Sequence, residues 1–262
     1  MTYPVFGDSA SGKRSNTALA SHAARHLVLA LLLCVAGITP AMAQMYKAGS
    51  KDAVPPAELF QACGFCHGDK GQGRQRLDAP AIAGLQSWYL ERQMHNLRNG
   101  IRGVHPDDLP GQQMAMITGM FRNDATITAL AAYIQALKPG APPMAGRGPA
   151  GQPEPIERPF KWKSRYAAIN ASSPGNAATG KKIYQESCMA CHGADGQGNQ
   201  ALGAPRLTVL ASWYMERELQ YFRDGIRGSD PKDTFGAQMV PSSKLLANDQ
   251  AIADVLAYVR TL

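Results

Sequence analysis

The sequence predicts an all-α protein made of two tandem copies of one small helical domain. Residues recur at a constant offset of 125, as Cys63 does at Cys188 and Trp88 does at Trp213. Roughly two-fifths of the positions between 63 and 137 are identical at that offset. The apolar residues follow helical spacing, and nothing resembles a run of alternating strands. A stretch rich in proline and glycine separates the copies, as expected of a linker between two domains.

Three helices are predicted in each copy, in the same order. The first contains "PPAELFQAC", whose prolines suit a first helical turn, and runs into a cysteine motif. The second, "SWYLERQMHNLRNG", has Ser87 as its expected N-cap and stops at Gly100, and its copy runs from Ser212 to Gly225. The third is "NDATITALAAYIQALKPG". Its predicted apolar face carries Ile127, Leu130, Ile134 and Leu137, and the matching face carries Ile252, Val255, Val259 and Leu262.

The N-terminus has the features of a secretory leader. A polar segment with Lys13, Arg14 and Arg25 precedes the apolar run "LVLALLLCVAGI", and "TPAMA" then predicts cleavage between Ala43 and Gln44. Export to a bacterial periplasm follows. The alternative is a retained anchor, which would give peripheral membrane association. We expect a cleaved signal peptide at 1–43, an N-terminal domain at 44–138, a linker at 139–175 and a C-terminal domain at 176–262.

The charge balance of the chain is mildly basic. The full sequence carries a formal charge of +7, and the predicted leader accounts for a net +2 of it, which leaves about +5. Such an excess suggests an acidic partner, or an anionic cofactor that offsets it. We expect no nucleic-acid partner.

Two stretches, "ACGFCHGDKGQG" and "SCMACHGADGQG", share the pattern Cys-x-x-Cys-His. Once Cys34 leaves with the leader, these motifs hold every remaining cysteine. At the end of a helix, this spacing places two thiols about one turn apart with an imidazole directly after them, which suits two thioether bonds to one haem and a histidine on its iron. Zinc would need four protein ligands, and a thioredoxin-like site would need a strand–helix–strand context. A disulfide is permitted in an exported protein.

Two copies of the motif inside a duplicated helical unit favour covalent haem over these alternatives. The sequence therefore predicts two haem c groups. The predicted attachment residues are Cys63, Cys66, Cys188 and Cys191, and the predicted iron ligands are His67 and His192.

A methionine is the expected sixth ligand of each iron. The two histidines outside the motifs after the leader, His95 and His105, have no histidine at the matching position of the second copy. Met114 in "GQQMAM" corresponds to Met239 in "GAQMVP", so both copies offer a thioether at one place. In the first copy Met116 remains a competitor.

Other repeated residues are expected around each haem. Pro80 and Pro205 lie thirteen residues after the motif histidines, where their carbonyls can accept the proton of the second ring nitrogen. Trp88 and Trp213, each followed by a tyrosine, can approach the haem or pack in the core. Arg102 and Arg227 can pair with haem propionates or lie at a solvated helix end.

With these residues in place, each copy resembles a class I cytochrome c, and the tandem resembles the di-haem cytochromes c of the c4 type. The resemblance covers essentially the whole chain after the leader. It implies two all-α domains, each around one haem, that carry electrons in the periplasm. The sequence departs from the pattern in a long proline-rich linker and in an extended loop predicted before each methionine.

The function expected from this resemblance is single-electron transfer between redox partners of a respiratory chain, with no enzymatic activity. The expected partners are a quinol–cytochrome c reductase, a terminal oxidase or a periplasmic dehydrogenase. A role as the electron-transfer subunit of a dehydrogenase is the first alternative. A di-haem enzyme is the second and is less favoured, because thiosulfate-oxidising enzymes of this kind use a cysteine ligand and the chain has none to spare.

Overall fold

Two helical lobes make up the part of the chain that the computed structural model describes, namely residues 54–139 and 174–262. We call them the N-lobe (54–139) and the C-lobe (174–262). Within these ranges there is no β-strand, only the isolated bridges Arg74–Ala79 and Asn199–Ala204. The all-α prediction is therefore confirmed. The predicted signal peptide and residues 140–173 of the predicted linker lie outside the described residues, and no described helix has the length and hydropathy of a membrane span.

The N-lobe contains four α-helices and one 3-10 turn at Gln75–Leu77. The helices are α1 (Pro56–His67), α2 (Ser87–Arg98), α3 (Leu109–Gly119) and α4 (Asp124–Ala136). Helices α1 and α2 both pack against α4, and α2 also packs against α3. The predicted face of α4 supplies the core, because Ile127, Leu130 and Ile134 are buried.

The C-lobe repeats this order with a break in its first helix. Its helices are α5 (Ala177–Ser187), α6 (Met189–His192), α7 (Ser212–Arg223), α8 (Thr234–Lys244) and α9 (Asp249–Val259). Helix α5 ends just before Cys188, so the single first helix of the N-lobe becomes two here. Ile252, Val255 and Val259 are buried on α9, as predicted, whereas Leu262 lies beyond the helix and is 36% exposed.

The expected serine caps are wrong in both copies. Ser87 and Ser212 are the first helical residues, and Gln86 and Ala211 precede them as N-caps without a side-chain cap. The Gln86 side chain instead joins the lobes. Its amide donates to the carbonyl of Gln197 at 3.0 Å, and its oxygen accepts from the backbone N–H of Arg206 at 3.1 Å.

A glycine in each lobe allows two backbone segments to touch behind the motif histidine. Gly73 has φ of 83°, and a Cβ there would lie 2.5 Å from the backbone nitrogen of Ala81. Gly198 has φ of 81°, and a Cβ there would lie 2.5 Å from the carbonyl oxygen of Ala204. Both glycines are needed for their conformation and for this approach, which carries the following proline carbonyl to the histidine.

The loop predicted before each candidate methionine is shorter than expected, because residues 102–108 are irregular but α3 already begins at Leu109, and α8 begins at Thr234. Asp108 caps α3 by accepting the N–H of Gly111 at 2.9 Å, and Asp233 caps α8 by accepting the N–H of Gly236 at 3.0 Å. Both aspartates are buried. Each candidate methionine therefore lies on a capped helix, about one turn and a half after its cap.

Candidate haem sites

One cavity in each lobe brings the sequence-predicted residues together. The N-lobe cavity is lined by both thiols of its motif together with His67, Pro80 and Met114. The C-lobe cavity is lined by both thiols of its motif together with His192, Pro205 and Met239. Both cavities are mostly apolar, as a porphyrin requires, and their walls come mainly from the cavity's own lobe with a few residues of the other lobe.

Each motif histidine is buried and held through one ring nitrogen. The Nδ1 atom of His67 lies 2.8 Å from the carbonyl oxygen of Pro80, and that of His192 lies 2.9 Å from the carbonyl oxygen of Pro205. The carbonyl contacts predicted from the sequence are thus present. A carbonyl partner places the ring proton on Nδ1 and leaves Nε2 as the basic nitrogen. Burial lowers the pKa of both histidines, although the carbonyl bond opposes it, so the neutral imidazole that binds a metal is favoured.

The cysteines do not fit the alternatives considered from the sequence. Burial raises the pKa of Cys63 and Cys188 to about 11, unlike the low-pKa thiols of redox-active CxxC sites. All four cysteines of the described residues are free of disulfides. In the same part of the chain, no group of three or more His, Cys, Asp or Glu side chains is arranged to hold a metal. The described residues therefore do not support the interpretation of the cysteine motifs as a zinc site or as disulfides.

The two methionine candidates of the N-lobe differ in position. Met114 lines the cavity, whereas Met116 does not line it and is 69% exposed. The carbonyl of Met114 accepts the hydroxyl of buried Thr118 at 2.9 Å. The equivalent Ser243 donates to the carbonyl of Met239 at 2.6 Å. A buried hydroxyl thus fixes the backbone of the lining methionine in both lobes.

The tryptophans and tyrosines of the repeat divide between two positions. Trp88 and Trp213 line neither cavity, and each is covered by an arginine guanidinium, at 5.1 Å and 5.3 Å from the ring centre. The neighbouring Tyr89 and Tyr214 are buried and line both cavities. Within each Trp–Tyr pair, the tyrosine is therefore the residue next to the candidate sites.

Arg102 and Arg227 are not at solvated helix ends, because they lie at the junction of the two lobes. The side chain of Arg102 is 12% exposed and that of Arg227 is 7% exposed. Arg102 lines the N-lobe cavity and Arg227 lines the C-lobe cavity. Their positions leave the propionate interpretation open and exclude the solvated one.

Each lobe also lends an arginine to the other lobe's cavity, which the sequence reasoning missed. Arg217 lines the N-lobe cavity and donates to the carbonyl of Asp78, while Arg92 lines the C-lobe cavity and donates to the carbonyl of Gly203. Arg92 and Arg217 occupy the same position of the repeat. This shared position was the available signal, but a sequence pattern does not tell which arginines cross between lobes.

Unsatisfied donors at these arginines test whether the cavities suit haem. The Nε atoms of all four are buried and lack a hydrogen-bond partner within the described ranges. Buried polar groups normally have partners. A haem brings two propionates to a cavity that already has its thiols, imidazole and thioether in place, and those carboxylates would supply the missing acceptors. The residues present therefore fit haem c.

Comparison with known proteins gives the same result. The family model for cytochrome c matches residues 53–138 and again residues 177–262. Cytochrome c4 of Azotobacter vinelandii is 28% identical over 247 residues, covering 89% of this chain and 98% of that protein. The thiosulfate dehydrogenase electron acceptor of Thiomonas intermedia (strain K12) is 28% identical over 210 residues, covering 78% of this chain and 81% of that protein. The structure of cytochrome c4 from Acidithiobacillus ferrooxidans matches with a TM-score of 0.52 and 26% identity, covering 77% of this chain and 99% of that chain.

The chain therefore belongs to the cytochrome c family, as a tandem di-haem member similar to cytochrome c4. It carries two covalently bound haem c groups and acts as an electron carrier between redox proteins. When bound, each haem supplies a one-electron ferric–ferrous couple. The protein supplies the ligands, the apolar walls and the charges around them.

Proposed function

We propose that this protein is a periplasmic di-haem carrier whose two lobes pass single electrons between a donor and an acceptor of a respiratory chain. The observation that carries the proposal is that each cavity is lined by its own two thiols, imidazole and thioether. The leader-like N-terminus supports export. In this proposal the leader is 1–43, the domains are 44–138 and 176–262, and the linker is 139–175.

The proposed attachment and ligand residues are those predicted from the sequence. One haem is bound through Cys63 and Cys66, and the other through Cys188 and Cys191. The iron ligands are His67 with Met114 in the N-lobe, and His192 with Met239 in the C-lobe. Histidine–methionine ligation gives a higher reduction potential than two histidines, which suits a carrier late in a respiratory chain.

The arginines next to the cavities have the role of anion partners in this proposal. Arg102 and Arg227, together with the crossing Arg92 and Arg217, hold the haem propionates through their buried Nε groups. Four guanidiniums with buried Nε atoms would offset the propionate charges, so that both haems can be covered without leaving carboxylates unpaired. Trp88 and Trp213 stack on two of these arginines and keep them in place.

The names of the relatives support a choice among the expected electron donors and acceptors. One relative is named as the electron acceptor of a thiosulfate dehydrogenase, which favours a periplasmic dehydrogenase as donor over a quinol–cytochrome c reductase. A terminal oxidase is the proposed acceptor. In this proposal the protein acts after a substrate-oxidising enzyme and takes up its electrons without binding that enzyme's substrate.

Haem content and electron transfer test this function together. Intact mass of the purified protein should show two haems per chain. Stopped-flow mixing should show reduction by thiosulfate dehydrogenase with thiosulfate, and no reduction by thiosulfate alone. Reoxidation by an oxidase should follow, with negligible peroxide consumption. One haem per chain, or direct turnover of thiosulfate or peroxide, would contradict the proposal.

A further inference from the structure

Four side chains form a closed set of hydrogen bonds between the lobes, which we call the interface quartet: Gln93, Arg102, Glu218 and Arg227. Glu218 and Arg227 are buried, and Gln93 and Arg102 are partly buried. Arg102 donates to the Gln93 side-chain oxygen at 2.8 Å and to Glu218 Oε2 at 3.1 Å. Arg227 donates to Glu218 Oε2 at 2.5 Å and to the Gln93 oxygen at 2.8 Å. Each arginine thus bonds one residue of its own lobe and one residue of the other.

The interface quartet is symmetric in position and asymmetric in charge. Arg102 and Arg227 are equivalent in the repeat, and so are Gln93 and Glu218. All four bonds would exist with two glutamines, because a neutral side-chain oxygen accepts from both arginines at Gln93. The carboxylate of Glu218 is therefore not needed to close the set of hydrogen bonds.

The charged side chains that line the two cavities occupy equivalent positions of the repeat, with the exception of Glu218 and Asp78. Each cavity is lined by two arginines and two carboxylates. Three pairs are equivalent in the repeat: Arg102 with Arg227, Arg217 with Arg92, and Asp108 with Asp233. Each cavity has one further carboxylate that has no equivalent in the other. In the N-lobe cavity it is Asp78, whose side chain is 47% exposed, and in the C-lobe cavity it is Glu218, whose side chain is 8% exposed.

Glu218 is ionised at neutral pH in this environment. Burial alone would raise its pKa, but Arg102, Arg227 and Arg217 outweigh burial and hold the pKa at about 2. Water and salt screen a buried charge far less than an exposed one. The C-lobe cavity therefore faces a permanent negative charge for which the N-lobe cavity has only a half-exposed counterpart.

We propose that the Glu218 carboxylate makes the two redox sites unequal, by holding the reduction potential of the C-lobe haem below the value that glutamine would give. A nearby negative charge stabilises the ferric state, which carries one more positive charge than the ferrous state. Glu218 does this from the cavity wall and is not an iron ligand. The inference rests on the proposed function, in which His192 and Met239 hold the C-lobe haem.

The variant Glu218→Gln tests this role directly. Spectroelectrochemical titration gives the two potentials, and the methyl NMR signals of Met114 and Met239 in the ferrous protein assign each potential to a lobe. The C-lobe potential should rise more than the N-lobe potential. The equilibrium constant for electron exchange between the two haems should change in favour of a reduced C-lobe by on the order of tenfold, which corresponds to about 59 mV for one electron.

A charge-swap variant, Gln93→Glu with Glu218→Gln, is the matched control. It keeps one carboxylate, one amide and the two arginines in the interface quartet, so a purely structural role predicts unchanged potentials. Gln93 lines both cavities, whereas Glu218 lines only the C-lobe cavity. Our proposal therefore predicts a lower N-lobe potential in the swap variant, and a smaller rise of the C-lobe potential than in Glu218→Gln. If Glu218→Gln loses haem, the swap variant decides the question.

The outcomes separate this inference from the proposed function. Absence of either methionine signal in the unsubstituted protein would contradict the proposed ligands. If both methionine signals are present, but Glu218→Gln leaves the two reduction potentials unchanged or shifts them equally, the role of Glu218 is contradicted.

Discussion

At the scale of single residues, the contact between proline carbonyl and histidine depends on a glycine. Gly73 and Gly198 let the chain turn directly against the segments that contain Pro80 and Pro205. The Gly198 N–H also donates to the carbonyl of His192 at 2.9 Å. One small residue therefore fixes both the motif histidine and the carbonyl that orients its ring.

Gly198→Ala should destabilise the C-lobe and disturb its haem. The alanine Cβ would meet backbone atoms at 2.5 Å in a left-handed conformation, and strain of this kind costs on the order of 1–3 kcal/mol. Thermal unfolding followed by circular dichroism measures the loss. The control is Gly225→Ala, since a Cβ at Gly225 has open space and only its φ of 75° is unfavourable. Equal destabilisation of the two variants would contradict the account.

The site residues could be predicted from the sequence where the same residue type occurs at the matching position of both copies. The positions of His67, Pro80 and Met114 followed from spacing, because each had a counterpart of the same type. The exposure of Met116 and the turning of Trp88 away from the cavity did not follow, because they depend on side-chain packing. The interpretation of Ser87 as a cap failed for a related reason: a cap depends on backbone conformation, and the Gln86 position extends toward the other lobe.

At the scale of helices, the methionine-bearing helix α3 is anchored at its start by a buried aspartate. Asp108 bonds the N–H of Gly111, and there is no room for a side chain at Gly111, where a Cβ would lie 2.0 Å from the carboxylate. Loss of this cap frees the turn that precedes Met114.

Asp108→Ala should weaken α3 and its methionine–iron bond. An N-cap of this kind contributes about 1 kcal/mol, so the variant should unfold at lower denaturant and lose part of its iron–methionine absorption. Asp107→Ala is the matched control, because its exposed side chain is outside the cap and its carbonyl still accepts from Tyr221. Unchanged absorption in Asp108→Ala would contradict a positioning role for the cap.

At the scale of the whole molecule, the haems and the contacts between the lobes add stabilising interactions that the small helical cores do not provide by themselves. Domains of this size bury little apolar surface, and each lobe has a largely apolar cavity lined by its cysteine motif. The junction includes the buried charged side chains of Glu218 and Arg227. The repeat predicted two lobes. The contact between them through Arg102 and Glu218 could not be predicted from the sequence, because a charged residue at an interface has the same sequence pattern as one on a solvent-exposed face.

Protein made without haem should be largely unfolded. The cavities would otherwise hold water against apolar walls, and the buried arginines would keep unsatisfied Nε groups. Circular dichroism of protein produced without haem attachment tests this, with His192→Ala as a variant that should lose native structure in the C-lobe. A normal folded signal from the haem-free protein would refute the prediction.

The junction of the lobes should weaken in acid through Glu218. Its ordinary pKa is 4.5 and its folded-state pKa is about 2, so its contribution is complete above pH 4.5 and is lost as the pH falls toward 2. Glu218→Gln should therefore flatten the acid limb of the stability curve, measured by denaturant unfolding at several pH values. The exposed Glu58→Gln is the control. Identical acid limbs in Glu218→Gln and the unsubstituted protein would contradict this.

The most direct test of the account is the weak red absorption band of iron–methionine ligation in the oxidised protein, quantified per haem. The unsubstituted protein and Met116→Ala should show the band for two haems, whereas Met114→Ala and Met239→Ala should each lose about half of it. Loss of the band in Met116→Ala with an intact band in Met114→Ala would contradict the assignment of the N-lobe ligand. A band for one haem in the unsubstituted protein would contradict the central claim that both lobes hold a histidine–methionine haem.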